Sequence, residues 1–125
     1  MLTWAELIAE VQADWPAPGD PYILFREGVP VAAALVPSMN PGLPNQILIG
    51  NKPDVIHKAE RLLNYPLPIP LYIKHDTNQW EYKGMYGRPQ KITDQAIYNN
   101  NLQIRLLLHP GEHVQFAIHW EQVGE

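Results

Sequence analysis

The sequence predicts an α+β domain built on a small, strongly bent β-sheet or β-barrel with two helices. Three observations predict it. About seven short apolar runs, several alternating with period two, are separated by turn-forming residues. Two other segments place their apolar residues at helical spacing. Thirteen prolines among 125 residues, about twice the usual share of roughly 5%, favour short strands and shaped loops over a helical bundle.

Thr3 to Asp14 reads as an amphipathic helix. Thr3 and Glu6 form a T-x-x-E capping box, and Trp4, Leu7, Ile8, Val11 and Trp15 share one face. PAPGDP (16–21) stops it. Tyr22–Phe25 and Val31–Val36 are apolar strands with Glu27-Gly28 in the turn between them. PSMNPGLPN (37–45) is a loop long enough to be functional. Gln46–Ile49 is a short strand ending at Gly50. Pro53 then suits the first turn of a helix whose apolar face is Val55, Ile56, Ala59, Leu62 and Leu63. NYPLPIP (64–70) ends that helix. Leu71–Lys74 and Trp80–Lys83 flank the turn HDTN (75–78) as a hairpin. Gly84 and Gly87 bracket Met85-Tyr86, which points to a bulge or a close backbone approach before the chain runs on to Ile92. Asp94 to Asn101 is polar and reads as a loop. Leu102, Ile104, Leu106 and Leu108 alternate with Gln103, Arg105 and Leu107 as a largely buried strand. Beyond the turn HPGE (109–112), Val114, Phe116, Ile118 and Trp120 mark a second strand expected to pair with it.

A chain of 125 residues is expected to form a single domain, residues 1–125. Hydrophobic residues at 46% and charged ones at 18% exclude wholesale disorder. Cysteine is absent, which removes disulfide scaffolds, thiolate metal sites and cysteine nucleophiles together. No apolar run approaches the roughly 20 residues that span a bilayer. The N-terminal stretch carries acids and no basic residue before Arg26, unlike a secretory signal peptide, so a cytoplasmic protein without membrane contact is expected.

The net charge of −4 is unevenly distributed. Residues 1–49 hold one Arg and five acids, and residues 93–125 hold Arg105 against four acids. Residues 50–92 hold seven of the nine basic residues against four acids. Such a chain can present a positive face despite an acidic total.

Enzymatic motifs are missing. Ser38 is the sole serine and lies in no G-x-S-x-G elbow. GNKP (50–53) lacks the second glycine and the Lys-Ser/Thr pair of a phosphate-binding loop. Pro110 and Gly111 break any helix that would put His109 and His113 on one face. His113 and His119, read on one strand, stand roughly 20 Å apart at about 3.3 Å per residue. The expectation is therefore a non-catalytic protein with no metal and no cofactor.

The chemistry-bearing stretch is residues 50–92. Lys74, Lys83, Arg88 and Lys91 are interleaved with Tyr72, Trp80, Tyr82 and Tyr86. Cations that neutralise phosphates, beside rings that stack on bases, suit a nucleic-acid groove. Trp80 and Tyr82 share a face by alternation and so also suit a barrel interior. Lys52 adds to the cations, while the asparagines Asn40, Asn45 and Asn51 suit either turns or base edges.

Within this stretch Gly50-Asn51 precedes a helix, Pro68-Ile69-Pro70-Leu71-Tyr72 forms an apolar proline-led strand, and Tyr82-Lys83-Gly84-Met85-Tyr86 an aromatic-rich one. In these three pieces the sequence resembles YDG/SRA-type domains of the PUA-like barrel group. The resemblance covers about a third of the chain. It implies a PUA-like barrel that binds DNA, reads modified bases and serves a bacterial defence or restriction system beside a partner such as a nuclease. Under that reading Lys52, Lys74, Lys83, Arg88 and Lys91 hold the backbone, Asn40, Asn45 and Asn51 meet base edges, and Trp80, Tyr82 and Tyr86 supply rings. The alternative is a protein-interaction module of immunity or antitoxin type, which the acidic total charge and the proline-rich loops suit.

Overall fold

The computed structural model describes residues 1–16 and 22–124. The chain runs α1 (Trp4–Val11), β1 (Ile23–Arg26), β2 (Val29–Leu35), β3 (Gln46–Gly50), α2 (Pro53–Leu63), β4 (Ile69–Asp76), β5 (Gln79–Ile92), α3 (Gln95–Leu108) and β6 (Val114–Gln122). The strands form one sheet in the order β1-β2-β4-β5-β6-β3. Among the described residues only β2 and β4 pair in parallel. The α+β class and the bent sheet stand, and the sheet is curled into a half-barrel with β1 and β3 at its edges.

The curl comes from β5. Its first half pairs with β4, from Asp76↔Gln79 to Ile69↔Tyr86, and its second half with β6, from Tyr86↔Gln122 to Ile92↔Ala117. A strand that changes partners must bend, and bulges absorb the bend. The register slips where Leu71↔Gly84 gives way to Tyr72↔Tyr82, leaving Lys83 unpaired, and again between Gly87 and Gln90. Gly84 sits at φ +125° in the first bulge, a conformation that side chains disfavour. At Gly87 an added Cβ would come within 3.2 Å of Pro68 Cα, the close approach that the glycine pair predicted.

Alternation along the strands sends side chains to two covered faces. Ile23, Ala33, Leu35, Ile47, Ile49, Leu71, Ile73, Tyr86, Phe116, Ile118 and Trp120 line the concave side, where Ala59 and Leu62 of α2 fill the half-barrel. The convex side splits into two smaller cores. Leu24, Ala32, Ala34, Tyr72 and Trp80 lie under Leu7 and Ile8 of α1. Leu48 and Ala117 lie under Tyr98 and Leu102 of α3.

The capping box forms as predicted: Glu6 N–H donates to Thr3 Oγ1 at 3.2 Å and Thr3 N–H to Glu6 Oε1 at 2.8 Å. Helix α1 nevertheless ends at Val11, where Gln12 takes a left-handed conformation at φ 55°. Trp15 therefore lies beyond the helix and is exposed. Of the PAPGDP segment, residues 17–21 lie outside the described residues. The Glu27-Gly28 turn has positive φ at both positions, 50° and 81°, as a two-residue hairpin requires. The β4–β5 hairpin likewise turns at Thr77-Asn78, with Asn78 at φ 56°.

One expectation is overturned, and with it the count of two helices and about seven strands. Residues 94–101 are not a loop, nor 102–108 a strand: together they make α3. Asp94 caps it, accepting from Ala96 N–H at 3.0 Å. Tyr98, Leu102 and Arg105, at steps of four and three, form its buried face. The Leu-rich run satisfied a period of two by chance. Strand β6 pairs instead with β5 and β3, leaving no open edge for 102–108. Among the described residues no helix is long and apolar enough to cross a membrane.

Candidate nucleic-acid interface

A cleft of about 380 Å³ opens at one end of the half-barrel, where β3 passes into α2. Gly50, Asn51, Lys52 and Val55 line it from the β3–α2 junction, and Trp4, Lys74 and Trp80 from the N-terminus and the β4–β5 hairpin. Met39 and Asn40 close it from the 36–45 loop, with Arg105 and Glu112 behind.

Each of these two groups has a local cause. Leu2 pairs with Trp80 through both backbone bonds, at 2.9 and 2.8 Å, and Trp4 N–H donates to Asn78 Oδ1 at 2.6 Å. These contacts hold the N-terminus over β5, so the Trp4 and Trp80 rings meet with centroids 5.1 Å apart. Lys74 faces Trp80 across the β4–β5 hairpin, its ammonium 5.9 Å from the ring centre, within cation–π range. At the β3–α2 junction Pro53 in the first helical turn directs α2 into the half-barrel, and its N-cap, Lys52, makes no side-chain capping bond. The first amides of α2 thus have no side-chain cap to compete with an anion.

Behind the cleft, Asn40 and Arg105 serve the edge strand β3. Asn40 Oδ1 accepts from Leu48 N–H at 3.0 Å, and Arg105 Nη1 donates to Leu48 O at 3.1 Å. The outward backbone groups of Leu48 are thus satisfied without a neighbouring strand. Arg105 is 4% exposed, and its Nη2 stands 3.8 Å from Glu112 Oε2. The lining therefore carries three cations, Lys52, Lys74 and Arg105, against one carboxylate, Glu112, in a chain of net charge −4. Tyr22 borders the cleft and donates its hydroxyl to Val55 O. Burial, then the nearby Asp54 carboxylate, raises the Tyr22 pKa well above the ordinary phenol value.

The expected site residues divide between this cleft and elsewhere. Asn40, Asn51, Lys52, Lys74 and Trp80 line it. Asn45 lies outside, donating to Trp120 O at 3.2 Å. Lys83 is 3.8 Å from Glu81, Arg88 2.8 Å from Glu121, and Lys91 2.9 Å from Glu60. Tyr82 is 46% exposed on the convex face beside Tyr72, centroids 5.5 Å apart. Tyr86 is 4% exposed in the concave core against Trp120. Trp4, Arg105 and Glu112 were not anticipated as cleft residues. Trp4 carried only its helical spacing, and Arg105 was read only as one of the residues alternating with the apolar ones of a largely buried strand.

Ser38 Oγ and His109 Nε2 meet at 3.2 Å, a pair separated by 71 residues that no motif signals. Among the described residues no carboxylate hydrogen-bonds the His109 ring. His75 instead pairs with Glu81 at 2.6 Å, and this contact, ahead of the Lys83 charge, lowers the Glu81 pKa. Among the described residues no three His, Cys, Asp or Glu side chains stand close enough to share a metal ion.

Compared with protein-family models, curated proteins and solved structures, the chain matches none.

Proposed function

We propose that this chain is a non-catalytic DNA-binding domain that takes its ligand at the cleft where β3 meets α2. The observation that carries the reading is the lining: a positive cleft, with two tryptophans, in an acidic protein. Lys52 and Lys74 form no ion pair among the described residues, so both are available for phosphate oxygens. The uncapped α2 amides add dipolar attraction for the same group. Asn51 is exposed and offers an amide to a base edge, and the part-exposed Trp4 ring offers a stacking face. Arg88 and Lys91 are already held by acids and play a smaller part.

The finer reading, a modified base recognised in a cytoplasmic defence or restriction setting beside a nuclease, rests on the resemblance of residues 50–92 to YDG/SRA-type domains. The order β3, Gly50-Asn51, α2, β4, β5, with Gly84 in a bulge, is consistent with it.

The test is fluorescence-anisotropy binding to duplexes with and without modified cytosine at two salt concentrations. Wild-type binding should weaken with salt, and the Lys52→Glu, Lys74→Glu double variant should lose most of it. Replacing either lysine by alanine should flatten the log–log salt slope by about 1. The Arg88→Glu, Lys91→Glu variant should retain binding. Preference for the modified duplex would support the finer reading. No binding at low salt overturns the proposal.

A second reading, the protein-interaction module, is favoured by the pairing of Lys83, Arg88 and Lys91 with Glu81, Glu121 and Glu60. This pairing removes much of the positive potential of residues 50–92, and the reading takes precedence if DNA binding fails.

A further inference from the structure

Arg105 is a cation 4% exposed on the buried face of α3, and a guanidinium taken out of water is costly unless an anion compensates it. Its Nη1 donates to Leu48 O at 3.1 Å, which fixes the planar fork in place. Its Nη2 lies beside Gly50, where an added Cβ would stand 3.7 Å from it. Glu112 faces the same nitrogen, with Oε2 3.8 Å away, farther than a hydrogen bond reaches. Gly50, Arg105 and Glu112 all line the cleft, and Glu112 is the one carboxylate among the lining residues. Its side chain is 37% exposed on the turn between α3 and β6. The neighbouring Gly111 has nothing within 4 Å of where a Cβ would be. Glu112 can therefore swing into water without unpacking the core.

We infer that the part of the cleft around Arg105 Nη2 and Gly50 is a phosphate subsite, and that Glu112 is the internal anion which a ligand phosphate displaces. A phosphate oxygen can approach a guanidinium to about 2.8 Å, closer than the Glu112 carboxylate stands. Lys52 and Lys74 line the same cleft, and three cations suit the charge of a phosphate better than that of a single carboxylate. Until phosphate arrives, Glu112 keeps an anion near the buried cation. Its charge also repels an incoming phosphate, so it sets the affinity of the subsite. The phosphate is that of a nucleic-acid backbone or of a free phosphate, which share this chemistry. The inference rests on the reading of the cleft as a phosphate-binding site, and inorganic phosphate tests it without DNA.

Thermal unfolding of the full chain in sodium phosphate, against sodium chloride at matched ionic strength, is the experiment. Glu112→Gln should melt below wild type in chloride, because it removes an anion from beside a buried cation. Phosphate should restore it by binding the folded state, with an apparent affinity at least about tenfold tighter than that of wild type. If Glu112→Gln is unfolded in chloride, phosphate should fold it, as read by circular dichroism. Glu121→Gln makes the same charge change beside Arg88 and should keep the wild-type response, and general salting by phosphate acts on all three chains alike. A response no larger in Glu112→Gln than in wild type, one matched by Glu121→Gln, or a Glu112→Gln chain that phosphate fails to fold overturns the inference. Anisotropy with the duplexes separates the two sources of phosphate. Tighter duplex binding by Glu112→Gln places a DNA phosphate in the subsite. A phosphate response without tighter duplex binding assigns the subsite to a free phosphate. Duplex binding without the phosphate response overturns the subsite alone, and the response without any duplex binding at low salt overturns the DNA reading alone.

Discussion

Asn40 and Asn51 look alike in the sequence, both beside glycine or proline in a polar stretch, yet they do different work. Asn40 is 6% exposed and its Oδ1 satisfies the Leu48 amide, whereas Asn51 faces the cleft from an exposed position. Asn40→Ala strands a buried donor and should cost about 1–3 kcal/mol in urea unfolding. Asn51→Ala should change stability by less than about 0.5 kcal/mol; equal losses would contradict the division. The rings of β5 teach the same lesson. Trp80, Tyr82 and Tyr86 stand two and four residues apart, both even steps, and would share one face of a regular strand. The bulge at Lys83 reverses the faces beyond it, so Trp80 lies under α1 while Tyr86 lies in the concave core. A bulge is decided by the pairing of two strands, and the sequence carries only its glycine.

At the level of elements, local chemistry was readable wherever it was self-contained. The α1 capping box involves two side chains three residues apart, and both turns with positive φ hold Gly or Asn. Its strength can be measured through pH. Bonds from Thr3, the backbone amide first and then the hydroxyl contact, hold the Glu6 pKa below its ordinary value of 4.5. A carboxylate with a lowered folded pKa contributes fully above that ordinary value, and the contribution is lost as pH falls through the folded one. The melting-temperature deficit of Glu6→Ala should therefore be largest near about pH 6 and vanish toward about pH 2. A deficit constant with pH would mean that the carboxylate is not the source. Thr3→Ala should cost about 1 kcal/mol at neutral pH. Helix α3 was illegible for the opposite reason. Its apolar residues fit two periodicities equally, and what excluded a strand was the occupation of both edges of β6 by β3 and β5.

Across the whole molecule, one core joins every strand. Phe116 is 2% exposed amid side chains from all parts of the half-barrel. Phe116→Ala should destabilise by about 3–5 kcal/mol and leave chemical unfolding a single transition, because no strand has a separate core to retain. Two transitions would show that the convex clusters under α1 and α3 are independent units. Charge too is a property of the whole fold. The basic surplus of residues 50–92 does not become one positive face: strand pairing brings Glu121 to Arg88, and packing of α2 brings Glu60 to Lys91. The cleft, lined from β3, β4, α2 and α3 among others, keeps Lys52, Lys74 and Arg105 beside the single carboxylate of Glu112.

The sequence by itself determined the α+β class, the two N-terminal hairpin strands, α2 with its buried face, the β4–β5 hairpin and the glycine positions of the bend. Each of these depends on periodicity or turn chemistry within a few residues. Only the tertiary structure decided that 95–108 is a helix, that β2 and β4 run in parallel, which aromatic rings face inward, and which lysines form no ion pair among the described residues. Those outcomes depend on which residues distant in sequence come within bonding distance, and no local pattern encodes that proximity.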